Sequence, residues 1–457
     1  MRRTARTIRR FAVTGSAVVV ALAAAPARAA QTQPAAAPAV GARQAPLPAD
    51  PLARAEVLIG QGHDDNARAI LLALEKAPSG DKARDNQVQF LLALFAMKDQ
   101  DYDEAIRRYR RILVSDPKAV RVRLEMGRAL FLEGRYADAE RQFLYARAGH
   151  LPKAVLANVD RFLGAIRQRK TFSYGFAFAI TPDSNLNAGP ATDAVTLYGL
   201  PFQLSPNARA NSGVGLTVDG NAEWAPRVGP RAKWRIGGQI HRAQYGQTTF
   251  DDMTAALYTG PHLTLKRWDL NWLGTASRRW YGDRGYAVTY GSSADATWYV
   301  DPRLGVGLNL AVGRTEYDRN PLQDGLGKSL GASVFYTPTP ASFVRGAVTL
   351  ARQGAQLAGY AFDSTQFGAS YVREFRGGLT VGVAPTFTSI RYKAALAAFA
   401  VPRHDRQYAV ELSLLYRRLD FHGLTPRISY VFIKNASNID LYRFERNRLT
   451  IGFTNAF

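Results

Sequence analysis

The chain has 457 residues, 59 lysines and arginines against 37 acidic residues for a formal charge of +22, and no cysteine. The lack of cysteine excludes disulfides, a thiol nucleophile and a lipid anchor on the chain itself. The charge would suit a polyanion partner in a soluble protein, but it is spread as +7 over residues 1–47, +5 over 48–170 and +10 over 171–457, so no segment reads as a nucleic-acid arm and no nucleic acid is expected as a partner.

Residues 1–29 read as a secretory signal peptide: Arg2, Arg3, Arg6, Arg9 and Arg10 precede an apolar run from Phe11 to Ala25, and Ala27-Arg28-Ala29 is a small-x-small cleavage site. After processing, no apolar stretch reaches the roughly 18 residues a membrane helix needs, so a membrane could be crossed only by strands. The Ala/Pro/Gln-rich run 30–51 has too little to bury and is expected to be a disordered leader.

From residues 52 to 170 the apolar period is helical, and the pattern repeats. Ala93, Ala96, Ala105, Tyr109, Ile112 and Pro117 are followed 34 residues later by Gly127, Leu130, Ala139, Phe143, Ala146 and Leu151. A weaker copy with Ala55, Leu58, Ala67, Leu71 and Leu74 precedes them. This resembles the tetratricopeptide repeat, with small residues where paired helices cross and an aromatic between units. Three stacked units make a short solenoid whose first helices would line a groove for an extended peptide, at Gln87, Leu94, Lys98, Arg121 and Arg128. A further helix, Leu156 to Arg169, would cap it.

From Thr171 the period falls to two. Strands are expected near 172–181, 211–225, 232–246, 253–266, 267–282, 285–300, 303–317, 327–338, 341–353, 361–374, 377–392, 405–419, 425–435 and 443–457. Leu304, Val306, Leu308, Leu310 and Val312 alternate with Gly305, Gly307, Asn309, Ala311 and Gly313, which suits lipid on one side and a polar lumen on the other. Leu449, Ile451, Phe453 and a final Phe457 read as the closing strand. Tight turns such as Asp301-Pro302 and Arg376–Gly378 alternate with longer connections such as 182–210 and 393–404. Short turns belong to the periplasmic end, so residues 171–457 are expected to form a 14-stranded antiparallel transmembrane barrel with the helical domain on the periplasmic side. The fold class is α+β, multidomain: a tetratricopeptide-like solenoid, then an outer-membrane barrel.

Three stretches resemble the surface lipoprotein assembly modifiers: Tyr102 to Ile106 with Glu133 to Tyr136; Thr181 to Asn187; and Gly423 to Pro426, Ser437 to Ile439, Leu441-Tyr442 and Arg446 to Arg448 before the end. The resemblance covers the chain from about Asp101 onward. It implies a periplasmic repeat domain and a fourteen-stranded barrel that together move client proteins, lipidated or secreted, to the surface or beyond; such clients often bind host iron or haem carriers. It carries no catalytic residue and no cofactor. Pro182, Asp183, Ser184 and Asn185, with Ser437 and Asn438, read as Asx-type turns that would meet where the barrel closes and position its seam.

The partners expected are a client lipoprotein or secreted protein, outer-membrane lipids including lipopolysaccharide, and the barrel-assembly machinery, around a monomeric barrel. A polysaccharide exporter and a passive porin remain as rival readings. An enzyme is not expected, because none of the six histidines stands at metal-ligand spacing and no nucleophile elbow occurs.

Overall fold

The computed structural model describes residues 47–149, 151–419 and 424–454. The expected signal peptide, most of the leader, the Asp420–Gly423 turn and Phe457 lie outside the described residues.

Seven helices come first: α1 (Pro51–Gly60), α2 (Asp64–Lys76), α3 (Lys82–Lys98), α4 (Tyr102–Ser115), α5 (Val120–Leu132), α6 (Tyr136–Arg147) and α7 (Lys153–Arg169). Aspartates start three of them. Asp50, Asp81 and Asp101 accept the backbone N–H of Ala53, Ala83 and Glu104 at 2.9–3.0 Å, supplying partners for amides the helix leaves free. The repeat pattern appears as packing. Ala105, Tyr109, Ala129, Leu130 and Ala139 are fully enclosed, and a side chain at Gly127 would start 3.0 Å from the Phe143 ring, so that crossing favours the smallest residue. Aromatic contacts pack within and beyond units, with Phe90 of α3 against Tyr109 of α4 and Phe143 of α6 stacked on Phe162 of α7 at 5.0 Å.

Fourteen long strands follow: β1 (Phe172–Asp183), β2 (Gly213–Trp224), β3 (Ala232–Tyr245), β4 (Asp252–Thr264), β5 (Trp268–Tyr281), β6 (Arg284–Tyr299), β7 (Leu304–Tyr317), β8 (Gly325–Thr339), β9 (Ser342–Gln353), β10 (Phe362–Glu374), β11 (Leu379–Tyr392), β12 (His404–Tyr416), β13 (Thr425–Ser437) and β14 (Phe444–Thr454). Each pairs antiparallel with the next, and β14 pairs with β1, so the sheet closes on itself and has no free edge. Large apolar side chains point outward in rows. Phe172, Tyr174, Phe176, Phe178 and Ile180 on β1 and Leu308, Leu310 and Val312 on β7 are all exposed, an arrangement stable only against lipid. No described helix is long and apolar enough to cross a membrane. The barrel does the crossing, in the bacterial outer membrane, with the helices on the periplasmic side.

Two details were not anticipated. The first outer connection contains a two-stranded ribbon, Ala194–Leu197 with Leu200–Gln203, where the sequence suggested only a loop. Four other outer connections share one design, a single 3-10 turn (Thr248–Phe250, Pro321–Gln323, Ala358–Tyr360, Asp440–Tyr442) leading into the next strand.

Candidate functional site

The turns after β2, β4, β6 and β10 face the helical layer, and two footholds join the layer to the barrel. At the first, Arg123 of α5 is buried and donates to Pro117 O at 2.7 Å, to Gln142 Oε1 at 2.9 Å and to Glu374 at the end of β10 at 2.5 Å. Arg417, just past β12, reaches the same Glu374 oxygen at 3.2 Å. Tyr145 of α6 lies against the Arg123 guanidinium, and burial pushes its phenol upward. Burial lowers Arg417 from the usual arginine value, with Glu374 acting in the opposite sense. The turn after β10 adds a backbone bond, Gly377 N–H to Val114 O at 2.6 Å. Gly377 and Gly378 hold φ near +88° there, which only glycine adopts without strain.

The second foothold lies about half the ring away. Lys233 donates to the carbonyl of Lys170 at the end of α7, while the bond from Ala225 N–H to Thr171 O at 2.7 Å extends the β1–β2 ladder up to that point. Beside it, a gap of about 740 Å³ separates α6 and α7 from the turns after β2, β4 and β6. Arg147, Arg227, Arg231, Lys266 and Arg267 line it, with Trp268 on one wall.

Inside the barrel, charges run in cross-strand pairs: Asp219 with His241 at 2.7 Å, Glu223 with Arg235 at 2.6 Å, Asp252 with Arg279 at 2.6 Å and Glu411 with Arg427 at 3.1 Å. His262 pairs with Asp269 at 2.9 Å. Each histidine faces a single carboxylate, and the described residues hold no cluster of three metal-ligating side chains. Next to the seam the lumen widens to a chamber of about 590 Å³ roofed by Leu186, Asn187 and Ala188, with Arg446, Arg448 and Tyr281 on its walls. The first outer connection crosses above, where Tyr198 N–H reaches Ala398 O at 2.9 Å.

The seam is uneven. β1 and β14 pair from Ala177–Thr454 to Ile180–Ile451 and again at Asp183–Arg448, skipping Thr181 and Pro182; proline has no N–H to offer. Phe453 stacks on Phe178 at 5.6 Å, and Ile451 faces lipid; Leu449, opposite Tyr430 on β13, shares that outward row. At the inner end, Phe172 to Phe176 pair only with β2 among the described residues. The outer end is tied firmly: Asp183 takes Arg446 at 2.6–3.0 Å, Ser184 exchanges two hydrogen bonds with Asn447, and Asn185 reaches Glu445 O at 3.1 Å. Asn185 N–H also donates to Asp183 Oδ1 at 3.0 Å, closing an Asx turn. Ser437 and Asn438 serve a different junction. Ser437 Oγ accepts from Ile439 N–H, while Asn438 bonds both backbone groups of His404 and the carbonyl of Pro402, tying β13 to β12.

The groove residues fall on first helices. Gln87 bridges from α3 to Glu56 of α1 at 2.9 Å, Arg121 of α5 covers the Phe90 ring of α3, and Arg128 lies exposed beside Glu125. Lys98 pairs with Asp64, and Leu94 packs between the two helical cores rather than in the open. The sequence reading passed over Arg123. Its signal was present, since Val122, Arg123, Met126, Gly127 and Leu130 put a charge on the buried face of α5.

A family model described as "Surface lipoprotein assembly modifier" matches residues 173–457, and one described as "Surface lipoprotein assembly modifier, N-terminal TPR repeats" matches 56–143. The chain belongs to the surface lipoprotein assembly modifier family. Within it, surface lipoprotein assembly modifier 1 of Neisseria meningitidis serogroup B is 24% identical over 80% of this chain and 74% of that protein. The modifier of Moraxella catarrhalis is 24% identical over 86% and 78%. A protein named hemophilin secretion modulator, from Acinetobacter baumannii, is 22% identical over 77% and 75%. Among solved structures, the outer membrane channel DcaP of Acinetobacter baumannii is similar at a TM-score of 0.36 and 8% identity, covering 62% of this chain and 97% of that one.

Proposed function

We propose that this protein is an outer-membrane translocator that takes client proteins from the periplasm to the cell surface or the medium. The observation that carries the reading is the double attachment of a helical repeat layer across the inner mouth of a closed barrel. A passive pore has no use for a peptide-binding layer held over its entrance. The names of the relatives speak of surface lipoproteins and of hemophilin secretion, which supports a client among exported proteins. The layer would hold the client's extended segments on the row that includes Gln87, Arg121 and Arg128, and the gap beside α7 would admit them. The role is one of binding and passage, without bond-making chemistry. Pro182 to Asn185 hold the outer end of the seam, and the skipped pairs at Thr181 and Pro182 leave its ladder interrupted, as the ladders of β4–β5 and β10–β11 also are.

The test is export in intact cells of a secreted or lipidated protein encoded beside this one. Protease-accessible client that disappears on deletion, and fails to return with a chain lacking the helices up to Lys170, is the expected result. Loss of a surface polysaccharide with protein export unchanged would replace this reading with that of a sugar conduit.

A further inference from the structure

The lipid-facing wall carries an unbalanced charge at its outer end. Val312 on β7 pairs in register with Lys328 on β8, Lys328 with Arg352 on β9, Arg352 with Asp363 on β10 and Asp363 with Arg391 on β11. Residues paired across strands share a face, and Val312 points outward, so the whole row does. Asp363 accepts Arg352 Nε at 2.9 Å and pairs also with Lys393. Lys328 and Arg391 have no carboxylate partner among the described residues. Two other cation pairs on this face are matched, Arg314 with Glu316 at 3.1 Å and Lys434 with Glu445 at 2.7 Å, while Arg406 on β12, opposite Ser389 of β11, adds a further exposed cation beside the row.

Directly below this row the wall is hollowed into a depression of about 710 Å³. Leu310, Val312, Leu330 and Leu350 line it, and Lys328 and Arg352 stand at its rim. The hollow exists because the same outward rows place small side chains, Ser292 and Ala294, beside those leucines. Uncompensated cations on a lipid face cost stability unless something anionic meets them. An apolar trough headed by cations matches an acyl chain below a phosphate.

We propose that this wall is a binding site for one multi-acyl glycolipid of the outer leaflet whose head group carries phosphate. Its phosphates lie among Lys328, Arg352 and Arg391, and one acyl chain fills the depression. The site is independent of client transport.

The test uses the full-length protein in detergent, titrated with bis-phosphorylated lipid A or its dephosphorylated counterpart and read by native mass spectrometry. Preferential retention of the phosphorylated lipid, falling with salt, is expected. The double variant Lys328→Gln with Arg391→Gln, shown folded by its heat-shifted gel mobility, should lose about 25-fold in affinity at low ionic strength, at about 5-fold per cation. The lumen-facing Arg345→Gln should bind as wild type does. Equal retention of the two lipids, or undiminished binding by the double variant, would overturn the site. Displacement by equimolar phosphatidylglycerol would overturn its assignment to a multi-acyl glycolipid.

Discussion

Glu374→Gln tests the joint between helices and barrel. Among the described residues, Glu374 is the one carboxylate facing two buried guanidiniums, with Arg123 1% and Arg417 5% exposed at the side chain. Neutralising it leaves both cations in a low-dielectric pocket. Breaking a buried pair from one side costs about 3–5 kcal/mol, which raises the undocked population by roughly 10² to 10³-fold or more. The Gly377 amide is a built-in reporter, because its bond to Val114 O exists only while the layer is docked. Hydrogen exchange on the full chain in micelles should show that amide accelerated by at least two orders of magnitude in the variant, with amides of α1 and α2 unchanged. Arg123→Met together with Glu374→Gln should be less costly than the sum of the two, with a coupling of about 1 kcal/mol or more. Wild-type exchange at Gly377 in the Glu374→Gln protein would refute the reasoning.

Three further predictions concern the seam and the helical core. A Cβ on Gly452 would sit 2.0 Å from Phe178 O and 2.5 Å from Ala179 Cβ. Gly452→Ala must therefore push β14 off β1, lowering barrel stability by about 1–3 kcal/mol and the unfolding temperature of the heat-shifted band; an unchanged melt would contradict the pairing. Tyr109 is fully buried with no hydrogen bond to its hydroxyl, and burial pushes that phenol well above its usual value. Tyr109→Phe should accordingly stabilise the helical domain by about 1 kcal/mol in denaturant titration, and a loss would mean the hydroxyl has a partner. Burial raises the Glu75 carboxyl, but hydrogen bonds from Gln89 and Arg108 outweigh it, so the net shift is downward from 4.5. A depressed folded-state pKa gives stability that is complete above 4.5 and is lost as pH falls through the folded value. Melting of the helices should become acid-sensitive below that point, and Glu75→Gln should blunt the sensitivity; equal acid slopes in both proteins would count against it.

The strands were legible because a membrane enforces the rule along the middle of each strand. An outward position must be greasy and an inward one small or polar, as Leu308 against Gly307 and Asn309 shows. The repeats were legible for a related reason, since the helix crossing at Gly127 under Phe143 leaves room only for a small side chain, as Ala93 is one repeat earlier. The joint was hidden because Arg123 and Glu374 stand 251 residues apart, and each resembles an ordinary surface charge when read alone. The ribbon at Ala194–Gln203 was hidden too, since all four residues of Leu200–Gln203 are exposed and leave no alternation to read. Pro182 to Asn185 announced a turn, as Asp183 and Asn185 form, but not that Asp183 would take Arg446 across the closing seam.

The two footholds give the helical layer a mechanical part. Fourteen strands at about 4.8 Å spacing, tilted by about 40°, make a ring roughly 28 Å across, and a strut pinned on opposite sides fixes that diameter. A barrel held in this way resists flattening into an oval. Letting go at Glu374 would free the ring to deform, so a ligand that loosens the strut would soften the wall on the far side of the membrane without touching it.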